Sequence, residues 1–250
     1  PDTSIEFTIV ATATDCHIIC VPTPVDNRYY ADLSAVESAT RAVAGVLRDG
    51  DLVVVESTIY PGVCEDVVAP LLDRSGVKYC LAHCPERINP GDPKWTVLNI
   101  PRVLGGINEQ STAKAKALYA SFLDSEVAVV GSIRAAEATK ILENTFRDIN
   151  IAFVNEMAKS FARLDIDIHD VIRAASTKPF GYMPFYPGAG VGGHCIAVDP
   201  YYMIARGKEA GFDHEFLRLA RKINESMPEY VIEVLGKALN EVALPLRGTS

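Results

Sequence analysis

No stretch of the chain approaches the ~18 uninterrupted apolar residues that a membrane-spanning helix needs, which excludes an integral helical membrane protein. The N-terminal PDTSIEFTIV lacks a basic segment leading into an apolar one, so it does not read as a secretory leader, and a cytoplasmic protein is expected. Positive charge is scarce: 24 Lys and Arg stand against 32 Asp and Glu, a formal net charge of -8. That balance excludes a general nucleic-acid or anionic-membrane binder, since both need a basic footprint. The six cysteines never form C-x-x-C, and a chain of this length needs no disulfide framework, so free thiols are expected. Cys16, Cys20 and Cys80 lie in apolar runs and are expected to be inert core. Cys80, His83 and Cys84 do not make a metal site: strand alternation sets His83 opposite the two thiols, and no second ligand cluster completes a tetrahedron.

Apolar side chain is plentiful, at 48% of 250 residues, which suffices for a sizeable core and suits two domains. The first half alternates strand and helix. Residues 16–21, 52–56, 78–82, 102–105 and 126–130 read as strands, and residues 33–47, 61–72 and 109–122 as helices, with Pro61 in a first turn. Alternation of this kind predicts an α/β domain, a parallel sheet with helices on its faces, over residues 1–131. The pattern starts midway, because nothing before Cys16 supplies the opening strand, glycine-rich turn and helix of a dinucleotide-binding unit. From Ser132, a plausible N-cap, about thirty residues run without Pro or Gly and predict one long helix over 133–164. Further helices are expected over 167–174, 201–210 and 215–239, the last interrupted or kinked near Pro228, giving an all-helical domain over 132–245. Between them, residues 176–200 form a Pro- and Gly-rich segment too long for a simple connection, and such loops are usually functional.

Gly188-Ala-Gly190-Val-Gly-Gly193 matches G-x-G-x-x-G letter for letter, but Pro184 and Pro187 precede it and no helix opens directly after it. Pyrophosphate binding needs strand and helix on either side, so this is read instead as a tight loop presenting Cys195 and backbone amides to a ligand. On the long helix Lys140, Asn144 and Arg147 share a face, with Asp148 and Asn155 near it. Ile141, Phe146, Ile149 and Phe153 make the other side apolar too, so the helix is expected to be buried on more than one side, and a buried lysine and asparagine need a partner such as an oxyanion. Three strands end in polar segments, Val21-Pro22-Thr23-Pro24, Glu56-Ser57-Thr58 and Pro85-Glu86-Arg87, at the edge where ligands of parallel sheets collect.

The motifs V-P-T-P, E-S-T-x-x-P-G, C-P-E-R, E-A-T-K-I-L-E-N-T-F-R-D-I-N and G-V-G-G-H-C-I-A-V-D-P, in this order, resemble the UDP-glucose/GDP-mannose dehydrogenase family over nearly the whole chain. The stretch S-T-K-P-F-G-Y-M-P-F-Y-P-G is most similar to the UDP-N-acetylhexosamine 6-dehydrogenases. The resemblance implies a Rossmann-like NAD domain, a helical domain that dimerises, a UDP-sugar substrate, and a four-electron oxidation of the 6-hydroxyl to a carboxylate with two NAD. It implies Cys195, Lys140, Asn144, Asp199, Glu86 and Thr58 as catalytic, and Val21, Pro22, Thr23, Glu56 and Thr58 at the cofactor. Glu86, Arg87, Lys140, Asn144, Arg147, Gly192 and His194 would meet the substrate. Against this pattern the opening glycine-rich turn and a C-terminal UDP-binding domain are absent, so the chain is expected to be an internal fragment, inactive alone, with 246–250 starting a linker. Pro90 stands where UDP-glucose members often carry a second glutamate, which leaves the hydrolytic base resting on Glu86.

The residue types suit that chemistry. Oxidation beyond the aldehyde needs a nucleophile to make a thiohemiacetal, which a thiolate at Cys195 supplies. Lys140 and Asn144 suit a developing oxyanion, and Asp199, Glu86 and Thr58 the water that cleaves the thioester. A cysteine hydrolase or acyl transferase using Cys195, His194 and Asp199 competes with this reading, although an adjacent Cys and His seldom orient as nucleophile and base. A non-catalytic dimerisation module competes as well. A homodimer is expected through residues 133–164 and 215–239, because the stripe of Ile141, Thr145, Asp148, Ala152 and Asn155 and the stripe of Ile149, Phe153, Met157 and Phe161 cannot both be covered by one sheet.

Overall fold

The computed structural model describes residues 5–26, 29–193 and 195–247. Contacts divide the chain into two compact units, Pro1–Leu142 and Glu143–Ser250.

The first unit is built on five strands: β1 Cys16–Ile19, β2 Leu52–Val55, β3 Cys80–His83, β4 Arg102–Gly106 and β5 Val127–Val129, adjacent in that order. The β2 segment LVVV is buried at every residue, as a strand covered on both faces must be. One layer of core joins Val53, Val55 and Leu81 to Val36 and Val43 of helix α1 (Ser34–Ala44) and Leu72 of helix α2 (Ala69–Leu72). The other joins Leu52, Val54 and Ala82 to Ala115 and Tyr119 of helix α3 (Glu109–Ala120), whose Asn108 cap accepts the Ser111 N–H at 2.8 Å.

Two expectations need correction here. The sheet is not wholly parallel: β1, β2 and β3 are mutually parallel, as are β4 and β5, but β3 and β4 pair antiparallel with His83 opposite Gly105. The reason is the connection. Residues 84–101 contain no helix, and without a crossover helix the chain returns in the opposite direction. The helix expected from Pro61 starts later and irregularly, with a π-type turn over Cys64–Val68 before α2 and a 3₁₀ turn over Asp73–Ser75. Its start is held from outside: Glu137, fully buried, accepts the Gly62 N–H at 2.6 Å and the Cys64 N–H at 2.8 Å.

Glu137 lies on α4 (Ile133–Ala162), where the Ser132 hydroxyl accepts the Ala135 N–H at 3.1 Å as the N-cap reading requires. Its first turns belong to the first unit, with Ile133 in the core. A Cβ at Gly105 would run into the Ser132 carbonyl and Ala136, and one at Gly106 into Thr112, so both glycines mark close approach.

The second unit holds the rest of α4, α5 (Ile168–Ala175), α6 (Asp199–Glu209), α7 (Glu215–Glu225) and α8 (Met227–Glu241). The helix expected over 215–239 with an interruption or kink near Pro228 is interrupted: it is two helices broken at Ser226, because Pro228 has no N–H to continue the ladder and sits in the first turn of α8. The expected burial of α4 on more than one side is met only in part. Its polar stripe of Asn144, Thr145, Asp148 and Asn155 is buried, and so is Ile141, whereas Phe146 is 46% and Phe153 58% exposed.

Candidate active site

In the first unit β1, β2 and β3 run parallel and end side by side, so segments 20–24, 56–58 and 84–87 share one edge. The Ser57 hydroxyl stitches the first two: it accepts the Val21 N–H at 2.8 Å and donates to the Val21 carbonyl at 2.7 Å. The Thr23 hydroxyl donates to the Thr58 carbonyl at 2.6 Å. Val21, Thr23 and Thr58 are half-buried, and Pro22 is exposed. Backbone groups and threonine hydroxyls on the carboxyl edge of parallel strands are the kind of surface a dinucleotide uses, and in this respect the residues fit NAD.

Glu56 turns inward, accepting hydrogen bonds from the Tyr119 hydroxyl and, at 3.8 Å, from the Cys20 thiol. Burial and the Glu56 carboxylate push Cys20 up to about 11. Cys20 is therefore not the core residue expected: it lies past the end of β1 and is exposed, but it is held as a thiol. Burial pushes Cys84, next to Tyr119, up to about 12. His83 is fully buried and its imidazole is pushed down to about 3 by desolvation, so it is neutral.

Glu86 is held from two sides. Its Oε1 accepts the Arg87 and Ile88 N–H groups, both at 2.7 Å, and Arg102 Nη2 lies 2.7 Å from Oε2. Arg87 itself sends Nη1 to the Pro101 carbonyl at 2.8 Å. Lys140, half-buried on α4, belongs to this unit as well.

In the second unit Asn144, on the first turn of α4 counted there, donates through Nδ2 to Asp199 Oδ2 at 2.6 Å, and both residues are buried. Asp199 opens α6, and its N–H donates to the Cys195 carbonyl at 2.9 Å. Cys195 is exposed, on the turn that leads into that helix. The structure thus brings Asn144 to Cys195 and Asp199, although Asn144 and Asp199 are 55 residues apart in sequence. Gly192 is exposed, Arg147 is exposed, and His194 lies outside the described residues. The glycine-rich loop leads into α6 with no strand before it among the described residues, which agrees with its rejection as a pyrophosphate turn. It is pinned by the Gly188 N–H donating to Asn155 Oδ1 at 3.0 Å and by Gly190, at φ 104°, whose missing Cβ leaves room for the Asn224 carbonyl.

Asp148 and Asn155, expected near the face of Lys140 and Asn144, belong to a buried network. Asp148 Oδ1 accepts from Arg221 Nη1 at 2.7 Å and Asn224 Nδ2 at 2.8 Å, and Asn155 Nδ2 donates to Asn224 Oδ1 at 3.0 Å. Sequence reasoning missed Arg102, Tyr119, Glu137, Arg221 and Asn224. Only Arg102, a charge opening an apolar strand, and Glu137, within E-A-T-K, left a sequence signal. Among the described residues no group of three or more His, Cys, Asp or Glu side chains could hold a metal ion, and no helix is long and apolar enough to cross a membrane.

Residues 2–123 match the NAD binding domain of the UDP-glucose/GDP-mannose dehydrogenase family, and residues 134–226 match its central domain. A UDP-N-acetyl-D-glucosamine 6-dehydrogenase of Pseudomonas aeruginosa is 40% identical over 89% of this chain and 53% of its own length. A UDP-N-acetyl-D-mannosamine dehydrogenase of Methanococcus aeolicus is 39% identical over 92% of this chain and 52% of its own. The solved structure of a UDP-D-ManNAc dehydrogenase from Pyrococcus horikoshii superposes with a TM-score of 0.86 at 37% identity, covering 93% of this chain and 55% of that one. The chain spans about half the length of the curated relatives it matches.

Proposed function

The chain belongs to the UDP-glucose/GDP-mannose dehydrogenase family, and on that premise we propose that it serves the NAD-dependent oxidation of the 6-hydroxyl of a UDP-N-acetylhexosamine to the uronic acid. The observation that carries the reading is the buried Asn144–Asp199 pair fastened beside the exposed thiol of Cys195. NAD, when bound, supplies the acceptor for the two hydride equivalents that separate an alcohol from an acid. The protein's own part is as follows. Cys195 Sγ adds to the C6 carbonyl of the aldehyde, and Lys140 and Asn144 stabilise the oxygen that becomes negative. Once C6 has reached the thioester level, water adds to it, the C–S bond breaks and the thiolate returns to Cys195. Asp199, Glu86 and Thr58 hold that water and take its proton.

A homodimer through the helical unit is part of the proposal. Phe146 and Phe153 on α4, Phe216 on α7 and Ile232 and Leu235 on α8 are large apolar side chains left exposed. A cytoplasmic setting, with six free cysteines and a nucleotide-sugar substrate, completes it. The test, run on the full-length enzyme, is NADH formation across a panel of UDP-sugars, with Cys195→Ser beside the wild type. UDP-N-acetylhexosamines should be oxidised and the serine variant should lose several orders of magnitude in uronic acid production while still binding substrate. Near-native uronic acid production by Cys195→Ser removes the thiol from the reaction.

A further inference from the structure

β4 is the strand that breaks the parallel order, and its first residue is a buried arginine. In a parallel strand that residue would sit at the amino edge of the sheet. Running antiparallel, with Ala82 opposite Gly106 and His83 opposite Gly105, β4 instead carries Arg102 to the carboxyl edge, level with Glu86. There the guanidinium is fully enclosed: its side chain is 3% exposed, against 37% for Glu86. Nη2 lies 2.7 Å from Glu86 Oε2, Nη1 points to the Pro85 carbonyl at 3.4 Å, and the plane stands over the Tyr119 ring at 5.9 Å. Tyr119 in turn donates to Glu56 at the end of β2. A charge buried this deeply is stabilised only by its partners, and here the partner is the outward-facing carboxylate. We propose that Arg102 is a positioning residue, which aims the Glu86 carboxylate outward from the sheet edge for the hydrolysis of the acyl-enzyme.

The division of contacts supports the assignment. Oε1 is committed to the Arg87 and Ile88 amides, and Oε2 is fixed, among the described residues, by a single donor, Arg102, which sets the rotation of the carboxylate and leaves that oxygen a further lone-pair direction. Lysine is a point charge and could keep the attraction but not the planar hold on both Glu86 and Pro85.

The inference rests on the proposed reaction, so its test has one arm that needs no turnover. In the protein carrying Arg102→Met, hydrogen exchange at the Arg87 and Ile88 amides should quicken about tenfold or more, with residues 52–55 unchanged, because the fault is local to Glu86. During turnover of the full-length enzyme Arg102→Met should lower kcat about 10- to 100-fold with KM within about twofold, and mass spectrometry of the quenched enzyme should find an acyl adduct on Cys195, as in Glu86→Gln. Arg102→Lys should recover part of the loss. Unchanged exchange at Arg87 and Ile88 overturns the proposal, and so does adduct-free turnover in Arg102→Met where Glu86→Gln accumulates the adduct. Quickened exchange with no adduct in either variant, while Arg102 still anchors Glu86, overturns the hydrolytic reading instead.

Discussion

Replacing Arg221 by methionine should cost the helical unit about 3–5 kcal/mol at neutral pH, a large share of the roughly 5–15 kcal/mol that holds a domain folded. The estimate follows from what is left behind. Arg221 Nη1 and Asp148 Oδ1 are 2.7 Å apart, with side-chain exposures of 6% and 1%, and Asp148 Oδ2 has no hydrogen-bond partner among the described residues. Without the guanidinium the carboxylate keeps only Asn224 in the same buried space. Its protonation already leans that way: burial outweighs Arg221 and Asn224 and holds Asp148 above the ordinary carboxylate value of 3.8. A group raised on folding contributes most at a pH below its unfolded value, and the contribution fades as pH rises through the folded one. Losing Arg221 raises Asp148 further, so the penalty should be small in acid, where the carboxyl is protonated, and should grow toward neutrality. Urea unfolding followed by helical circular dichroism reads it. With a slope of about 1–3 kcal/mol per molar urea, the midpoint at pH 7 should fall by about 1 M or more. Adding Asp148→Leu to Arg221→Met removes the stranded charge and should recover part of the loss. A midpoint within experimental error of the wild type at pH 7, or a loss independent of pH, would refute the reasoning.

Glu137→Ala strands the buried Gly62 and Cys64 amides, at about 1–3 kcal/mol for each lost acceptor, and exchange of those two amides should accelerate before that of β2. The carboxyl group of Glu137 is raised by burial against the opposing pull of those amides, so Glu137→Gln, which keeps one acceptor oxygen, should lose less. Phe153→Asp should weaken self-association in sedimentation and leave circular dichroism unchanged, since Phe153 is exposed. Unfolding of the variant would put Phe153 in the core and end the interface assignment.

What the sequence made legible was local. The run LVVVE, the Ser132 cap and the Pro- and Gly-free stretch of α4 each state their structure within a few residues. The direction of β4 was harder, because no strand's composition says which way it runs; only the missing helix between His83 and Arg102 hinted at it. For the site, residue types at Asn144, Asp199 and Cys195 pointed to chemistry, but the Asn144–Asp199 hydrogen bond spans 55 residues, and no periodicity encodes that pairing. Helical spacing placed Asp148 with Asn144 correctly on one stripe, and could not tell that Arg221 waited there. It likewise grouped Phe146 with Phe153 without saying that their face is the open one, since periodicity ranks neighbours around a helix and is silent about what stands opposite.

The paired glycines 105 and 106 give β4 an unusual mechanical character. Side chains between two elements act as a compressible layer: a larger residue on one side can be absorbed by a different rotamer on the other. At Gly105 the Ser132 carbonyl, and at Gly106 the Thr112 amide, occupy the very space where a side chain would begin, so there main chain meets main chain. The starts of α3 and α4 are thereby fixed to the sheet through a joint with no play, and any drift in either helix must move β4 with it.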